Sequence, residues 1–384
     1  MNDRAGNVEG DLAFACYWGK DRRQTWSGTP FHLMRALEAT GPVADLNVAM
    51  PTAASQLLRV LGARRANGGL RSQWRHSRAA LTLVDQRLQK LVRQAHVDRV
   101  LQIGDIGVTE APFVVYQDLS YRLLREEAAR GGSVPHFRTL TAADLQRLQR
   151  RQDNIYRHAS GVIAMSAWLG AAVHRSGVPA ERIHVIPPGV NMLVDRGSEL
   201  PARRTGTPLK LLFIGRDFDT KAGDQVVDAF EILRRQNRPI TLTVAGPKGW
   251  PRPELPPGVT FLGSVSSETV VQLFDTHDLF VMPSLFEGFG IVFIEALTRG
   301  LPCIGRRACA MPEIIDDRAG RLVETQDPED LAELIWSTLN DDSLYESCAQ
   351  TASERREFYS WERVARRVRD VMSGVGPGHV GGII

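Results

Sequence analysis

Residues 283–305 read PSLFEGFGIVFIEALTRGLPCIG, and this stretch says most about the fold. It opens at the end of one apolar run, LFVMPS, and closes on another, PCIGR, with a helix predicted between them from about Gly290 to Arg299. A strand, a turn, a helix and a second strand make a βαβ unit with parallel strands. Gly288 and Gly290 allow the chain to turn tightly, so that free N–H groups at the helix start can point at phosphate or sugar oxygens. Glu287 stands before the helix, within reach of sugar hydroxyls. Glu295, eight residues on, can accept hydrogen bonds from ribose hydroxyls. The same residues also suit a glycine-punctuated turn with one solvated glutamate and one favoured by the helix dipole.

The alternation extends in both directions. From residue 209 it runs LKLLFIGR, a helix from about Gly223 to Arg235, ITLTVAG, VTFLGSV and LFVMPS. The first half reads LAFACYW, FHLMRALEATG, VADLNVAM, a long Arg-rich helical region, RVLQIGD and FVVYQDL. A helix over about 141–158, GVIAMS, WLGAAVHRSG and RIHVIPPGV follow. Residues 192–208 lose apolar periodicity and gather Gly, Pro and charge, as a linker does. The end is helical, closing on WERVARRVRDVMS and a Gly-rich tail. The expected organisation is an α/β chain of two doubly wound, Rossmann-like domains, 1–191 and 209–360. Residues 361–374 form a closing helix and 375–384 a tail. Two such domains imply a cleft at the C-terminal ends of both sheets.

At 384 residues, with 43% hydrophobic and 24% charged residues, the chain has the size and composition of two soluble domains. No apolar run reaches the roughly 20 residues of a membrane span, and LAFACYW lacks the basic flank of a signal peptide. Cys16, Cys303, Cys309 and Cys348 have neither zinc nor disulfide-framework spacing, which points to a reducing, cytoplasmic compartment. Charge is uneven: residues 1–190 carry a net +9 and residues 191–384 a net −6. The densest basic stretch is 59–99, where Arg59, Arg64, Arg65, Arg71, Arg75, Arg78, Arg87, Lys90, Arg93 and Arg99 face only Asp85 and Asp98. It suits contact with an anionic membrane surface, or a solvated helix face. No RNP, zinc-finger or aromatic-interleaved basic motif supports nucleic-acid binding.

Two further loops carry candidate chemistry. In FIGRDFDTKAGDQVVDAFEIL, Gly215 and Arg216 end a strand, and Lys221 and Gly223 precede a helix. Fixed cations there can stabilise the charge that builds on a departing diphosphate, or can simply be solvated. Asp217-x-Asp219 resembles a metal-holding pair, yet Arg216 and Lys221 already supply positive charge beside it, so no metal is assigned. In TWSGTPFHLMRALEATG, Gly28 permits close backbone approach between the first strand and first helix, and Pro30 suits the first helical turn.

Taken together, these motifs resemble the family 4 retaining glycosyltransferases of the GT-B fold. The matching features occur in the family's order: VIAMSAWLGAAVHRSGVPAERIHVIPPGVN, the strand with Arg216 and Lys221, VAGP, EGFGIVFIEA and FYSWERVARRV. The resemblance implies that the last helix returns to the first domain. It also implies a donor site in which Gly215, Arg216 and Lys221 hold the diphosphate and Gly28 faces donor and acceptor. Gly288, Phe289 and Gly290 would contact sugar and phosphate, Glu295 the ribose, and Val265 the base. Glu287, with Arg216 and Lys221, would act on the reacting centre. Many relatives place a His near the end of the fourth strand; here Gln117 takes that place and Asp118 follows it, and either is a candidate sugar contact.

The expected activity is sugar transfer from a nucleotide diphosphate sugar, as co-substrate, to a hydroxyl acceptor, with retention and without a metal cofactor. Two alternatives stay open: a GT-B sugar-nucleotide epimerase, and a non-catalytic sugar- or nucleotide-binding protein. The implied partners are the donor, the acceptor and, through 59–99, the inner face of a membrane.

Overall fold

The structure, a computed structural model, describes residues 11–66, 69–132, 137, 140–192 and 207–375. The chain divides into two compact units. Unit 1 comprises the residues up to Gly189 together with those from Trp361 onward, and unit 2 is Val190–Ser360. Most of the expected linker and tail lies outside the described residues.

Unit 1 contains β1 (Leu12–Cys16), α1 (Thr29–Glu38), β2 (Ala44–Asn47), α2 (Thr52–Leu61), β3 (Ala63–Ala66), β4 (Gly69–Ser72), α3 (Arg78–Ala95), β5 (Arg99–Ile103) and β6 (Phe113–Gln117). It continues with α4 (Tyr121–Ala129), α5 (Ala142–His158), β7 (Gly161–Ala164), α6 (Ala167–Arg175) and β8 (Ile183–Val185). Six strands form a parallel sheet in the order β2-β1-β5-β6-β7-β8. Every residue of β1, β6 and β7 is buried, because strands covered by helices on both faces read as continuous apolar runs.

The Arg-rich region departs from expectation. It is not one helical region but two helices, α2 and α3, separated by the antiparallel hairpin β3–β4. Arginine suits an exposed strand as well as a helix, so the charge of this stretch does not by itself select a helix.

Unit 2 contains β9 (Leu209–Ile214), α7 (Gly223–Arg235), β10 (Ile240–Ala245), β11 (Val259–Gly263), α8 (Ser267–Thr276), β12 (Leu279–Val281), α9 (Ile291–Leu297), β13 (Cys303–Arg306), α10 (Met311–Ile314), β14 (Gly320–Val323), α11 (Pro328–Leu339) and α12 (Asp342–Phe358). Its sheet is also parallel, ordered β11-β10-β9-β12-β13-β14. Both sheets are doubly wound, and strand order reverses between β1 and β5 in unit 1 and between β9 and β12 in unit 2. Such switch points are where open α/β sheets bind ligands. In unit 2 the core below that point is aromatic: Phe280 packs edge-on against Phe274 and Phe293, with ring centroids 5.8 and 5.5 Å away.

The final helix, α13 (Trp361–Ser373), belongs to unit 1. It buries Val364, Ala365, Val368 and Met372. Arg369 donates to the carbonyls of Leu37 (2.9 Å) and Gly41 (3.1 Å), satisfying acceptors at the C-terminal end of α1. The Trp361 ring stacks on His32 of α1 at 6.2 Å.

Candidate functional site

The loops that follow β9 and β12 flank the switch point of unit 2. The first runs from Gly215 to Ala222. Asp217 accepts hydrogen bonds from Thr220 N (3.1 Å, side chain) and Lys221 N (3.0 Å, carbonyl), which closes a local turn. The Phe218 ring, 5% exposed, anchors the turn between Phe213 and Trp250. Arg216 is exposed and Lys221 is half-buried. Asp217 thus has a structural task in the turn. Among the described residues no group of three His, Cys, Asp or Glu side chains could hold a metal ion.

The second loop leads from Met282 through Gly290 into α9. Leu285 N donates to the Thr220 carbonyl at 2.8 Å, stitching the two loops together through the backbone. Beside that bond, Lys221 Nζ donates to Glu287 Oε2 at 2.5 Å. The two side chains are 21% and 14% exposed, so their attraction is only partly screened by water. Two glycines make room for this pair. A Cβ on Gly215 would lie 2.8 Å from Lys221 Cγ, and one on Gly290 would lie 2.8 Å from the Phe293 ring and 3.2 Å from Glu287 Cγ. Gly290 also sits at φ +98°, in the left-handed region, where it starts α9.

Four further expected donor residues, Val265, Gly288, Phe289 and Glu295, lie on the same unit. Phe289 is buried, and Gly288 and Val265 are half-buried in the loops after β12 and β11. Glu295 lies on α9, where desolvation pushes its carboxyl up to about 8, and no cation among the described residues offsets that burial.

In unit 1, Gly28 at φ +88° precedes α1, which has Pro30 in its first turn. The two residues before it, Trp26 (φ 47°) and Ser27 (φ 56°), are also left-handed, a conformation that costs roughly 1–2 kcal/mol per non-glycine residue. Gln117 is only 2% exposed and donates through Nε2 to the Tyr156 hydroxyl, while Asp118 is half-exposed at the strand end.

Sequence reasoning passed over Arg306. This arginine ends β13 and is 6% exposed, and its guanidinium donates to the carbonyls of Pro283 (3.0 Å) and Thr325 (2.5 Å) and to Gln225 Oε1 (2.6 Å). All three partners are neutral, and desolvation lowers its pKa. It therefore fixes the start of the Glu287 loop from beneath. A single charge in the apolar run LPCIGR was the available signal. Two buried hydroxyls nearby, Thr220 Oγ1 and Ser284 Oγ, lack a protein partner among the described residues.

Two doubly wound parallel sheets, the second with a cation–carboxylate pair at its switch point, define a two-domain Rossmann-like protein of the GT-B type. The same fold occurs in sucrose-phosphate synthase from Thermosynechococcus elongatus, with a TM-score of 0.66 and 16% identity over 94% of this chain and 98% of that one. It also occurs in Anabaena HepE in complex with UDP and glucose, with a TM-score of 0.63 and 16% identity over 95% and 99%. Residues 201–355 match the glycosyl transferases group 1 and residues 123–192 match Glycosyltransferase Family 4. A D-inositol 3-phosphate glycosyltransferase of Nocardioides sp. is 30% identical over 219 residues, which are 50% of this chain and 48% of that protein. The chain spans about half the length of the curated relatives it matches. In the two segments 201–355 and 123–192 the chain is similar to the glycosyl transferases group 1 and to Glycosyltransferase Family 4.

Proposed function

We propose that the chain transfers a sugar from a nucleotide diphosphate sugar to a hydroxyl acceptor, with retention at the anomeric carbon. The observation that carries this reading is the Lys221–Glu287 pair, held between the β9 and β12 loops at the switch point. Arg216 and Lys221 neutralise the diphosphate as the bond from the anomeric carbon to the phosphate oxygen breaks, in place of a metal ion. Glu287 stabilises positive charge developing on the sugar, Glu295 accepts from the ribose hydroxyls, and Val265 lies beside the base. The new bond from the anomeric carbon to the acceptor oxygen forms on the face the diphosphate leaves, and a donor phosphate oxygen takes the acceptor proton. The protein's part is then positioning and charge stabilisation.

HepE, of the same fold, binds UDP and glucose, which favours a uridine donor as the first to try. The test is release of nucleoside diphosphate and of sugar product with and without hydroxyl acceptors, in the wild type and in Arg216→Ala. We expect acceptor-dependent turnover that falls by about 100-fold or more in the variant. Turnover within a few-fold of wild type, or interconversion of the donor sugar without any acceptor, would contradict the reading.

A further inference from the structure

The basic stretch 59–99 divides in the structure. Its later part is engaged inside unit 1: Arg87 Nε donates to the Asn47 carbonyl (3.2 Å), Arg93 pairs with Glu110 (3.3 Å) and Arg99 donates to the Met372 carbonyl (2.7 Å). Its earlier part has a different character. Helix α2 buries none of its residues, and Ala54, Ser55 and Leu58 are only half-buried. Leu57, Val60 and Leu61, spaced i, i+3, i+4 on one helix face, are 60%, 73% and 73% exposed. These are the three most exposed large apolar side chains among the described residues.

Arginines accompany this face, on the helix and after it in sequence. Arg59 is exposed within α2. The hairpin β3–β4 follows directly and sets Arg64 opposite Arg71 in its register. Beyond it, the Arg75 guanidinium lies 4.8 Å over the Tyr17 ring. A cavity of about 640 Å³ is lined by Arg59 and Val60 of α2 together with Trp74, Arg75 and His76. Between Asp45 and Asp85 the sequence contains six arginines and no acidic residue. An exposed apolar helix face in a stretch of sequence that carries arginine and no acidic residue is complementary to a surface that offers both hydrocarbon and negative charge. A second copy of the chain is a poorer fit, since a two-fold contact would set these arginines against each other.

We propose that unit 1 docks on an anionic lipid bilayer through the Leu57–Val60–Leu61 face of α2, with the neighbouring arginines on lipid phosphates. The helix lies in the plane of the headgroups; no described helix is long and apolar enough to cross a membrane. This inference is independent of the sugar-transfer reading, because its test needs no nucleotide sugar.

The test is cosedimentation of the full chain with phosphatidylcholine vesicles, with and without phosphatidylglycerol. The proteins compared are the wild type, Arg59→Gln and a Leu57→Gln/Val60→Gln/Leu61→Gln variant. Since all three apolar side chains face solvent, the triple variant keeps the wild-type unfolding temperature. The wild type is expected to sediment with the anionic vesicles at low salt and to be released by high salt. Affinity should fall by about tenfold or more in the triple variant and on pure phosphatidylcholine, and by less in Arg59→Gln. A wild type that stays in the supernatant at low salt overturns the proposal, as does a triple variant that binds like wild type. So does a wild-type dimer, seen by light scattering, that the triple variant converts to monomer, because that assigns the face to a second copy.

Discussion

Lys221 and Glu287 are 66 residues apart in sequence, yet their charged ends lie 2.5 Å apart, each on a loop following one of the two strands where the order of the second sheet reverses. Each side chain is mostly buried, so removing either leaves the other's charge partly desolvated. Lys221→Ala and Glu287→Gln should each cost about 1–3 kcal/mol of unfolding free energy, less than the roughly 3–5 of a fully buried pair. The double variant should lose less than the sum of the two. Urea denaturation of all four proteins measures the coupling, and a value of zero would show that the contact contributes nothing.

Gly215 and Gly290 admit those two side chains, and they should differ in tolerance. Gly290→Ala meets both a left-handed backbone and the Phe293 ring, for an expected loss of about 2–4 kcal/mol. Gly215→Ala meets chiefly the flexible Lys221 stem, so about 1–2 kcal/mol is expected. Denaturation midpoints rank the two, and the reverse order would refute this packing argument.

Glu295 makes stability depend on pH. Its carboxyl, ordinarily near 4.5, is pushed up to about 8 by burial. Below about 4.5 it is protonated in both folded and unfolded chains. Between about 4.5 and about 8 the folded chain keeps a proton that the unfolded chain loses, so stability falls as pH rises, and above that window the loss is complete. Glu295→Gln should flatten this part of the stability profile. Ribose hydroxyls donating to the carboxylate would favour its ionised form, so nucleotide binding near neutral pH should release a proton. Calorimetric titration in two buffers of different ionisation enthalpy detects that proton in the wild type and should not in Glu295→Gln.

Arg306 holds three acceptors with one guanidinium, and no carboxylate among the described residues pairs with it. Arg306→Met leaves the Pro283 carbonyl without that donor, for an expected loss of about 2–4 kcal/mol. Arg306→Lys should recover part of it, since an ammonium cannot match the planar fork. Because Pro283 begins the Glu287 loop, donor affinity should fall in the same order. Equal affinity in all three proteins would restrict Arg306 to stability alone.

The doubly wound sheets were legible because β1, β6, β7, β12 and β13 are buried on both faces and so stand out as apolar runs. Glu287, Glu295, Arg216 and Lys221 were legible as motif residues. The direct contact of Lys221 with Glu287 was not, because it depends on which strands are neighbours in the sheet. Strand β14 escaped notice because it is only four residues long, GRLV, with two of them half-buried. The β3–β4 hairpin was hidden by its arginines, which suit helices and exposed strands alike. Arg306 was hidden for the opposite reason: a buried charge satisfied by carbonyl groups leaves no partner residue type to search for.

Binding of a nucleotide diphosphate sugar at the Lys221–Glu287 site is tested most directly by thermal unfolding with UDP-, GDP- and ADP-sugars, in the wild type and in Lys221→Ala. A donor at 100 times its Kd adds about 2.7 kcal/mol of apparent stability. The account predicts that one of the three raises the wild-type unfolding temperature and that the shift disappears in Lys221→Ala. No shift with any of the three, or an equal shift in the variant, would contradict it.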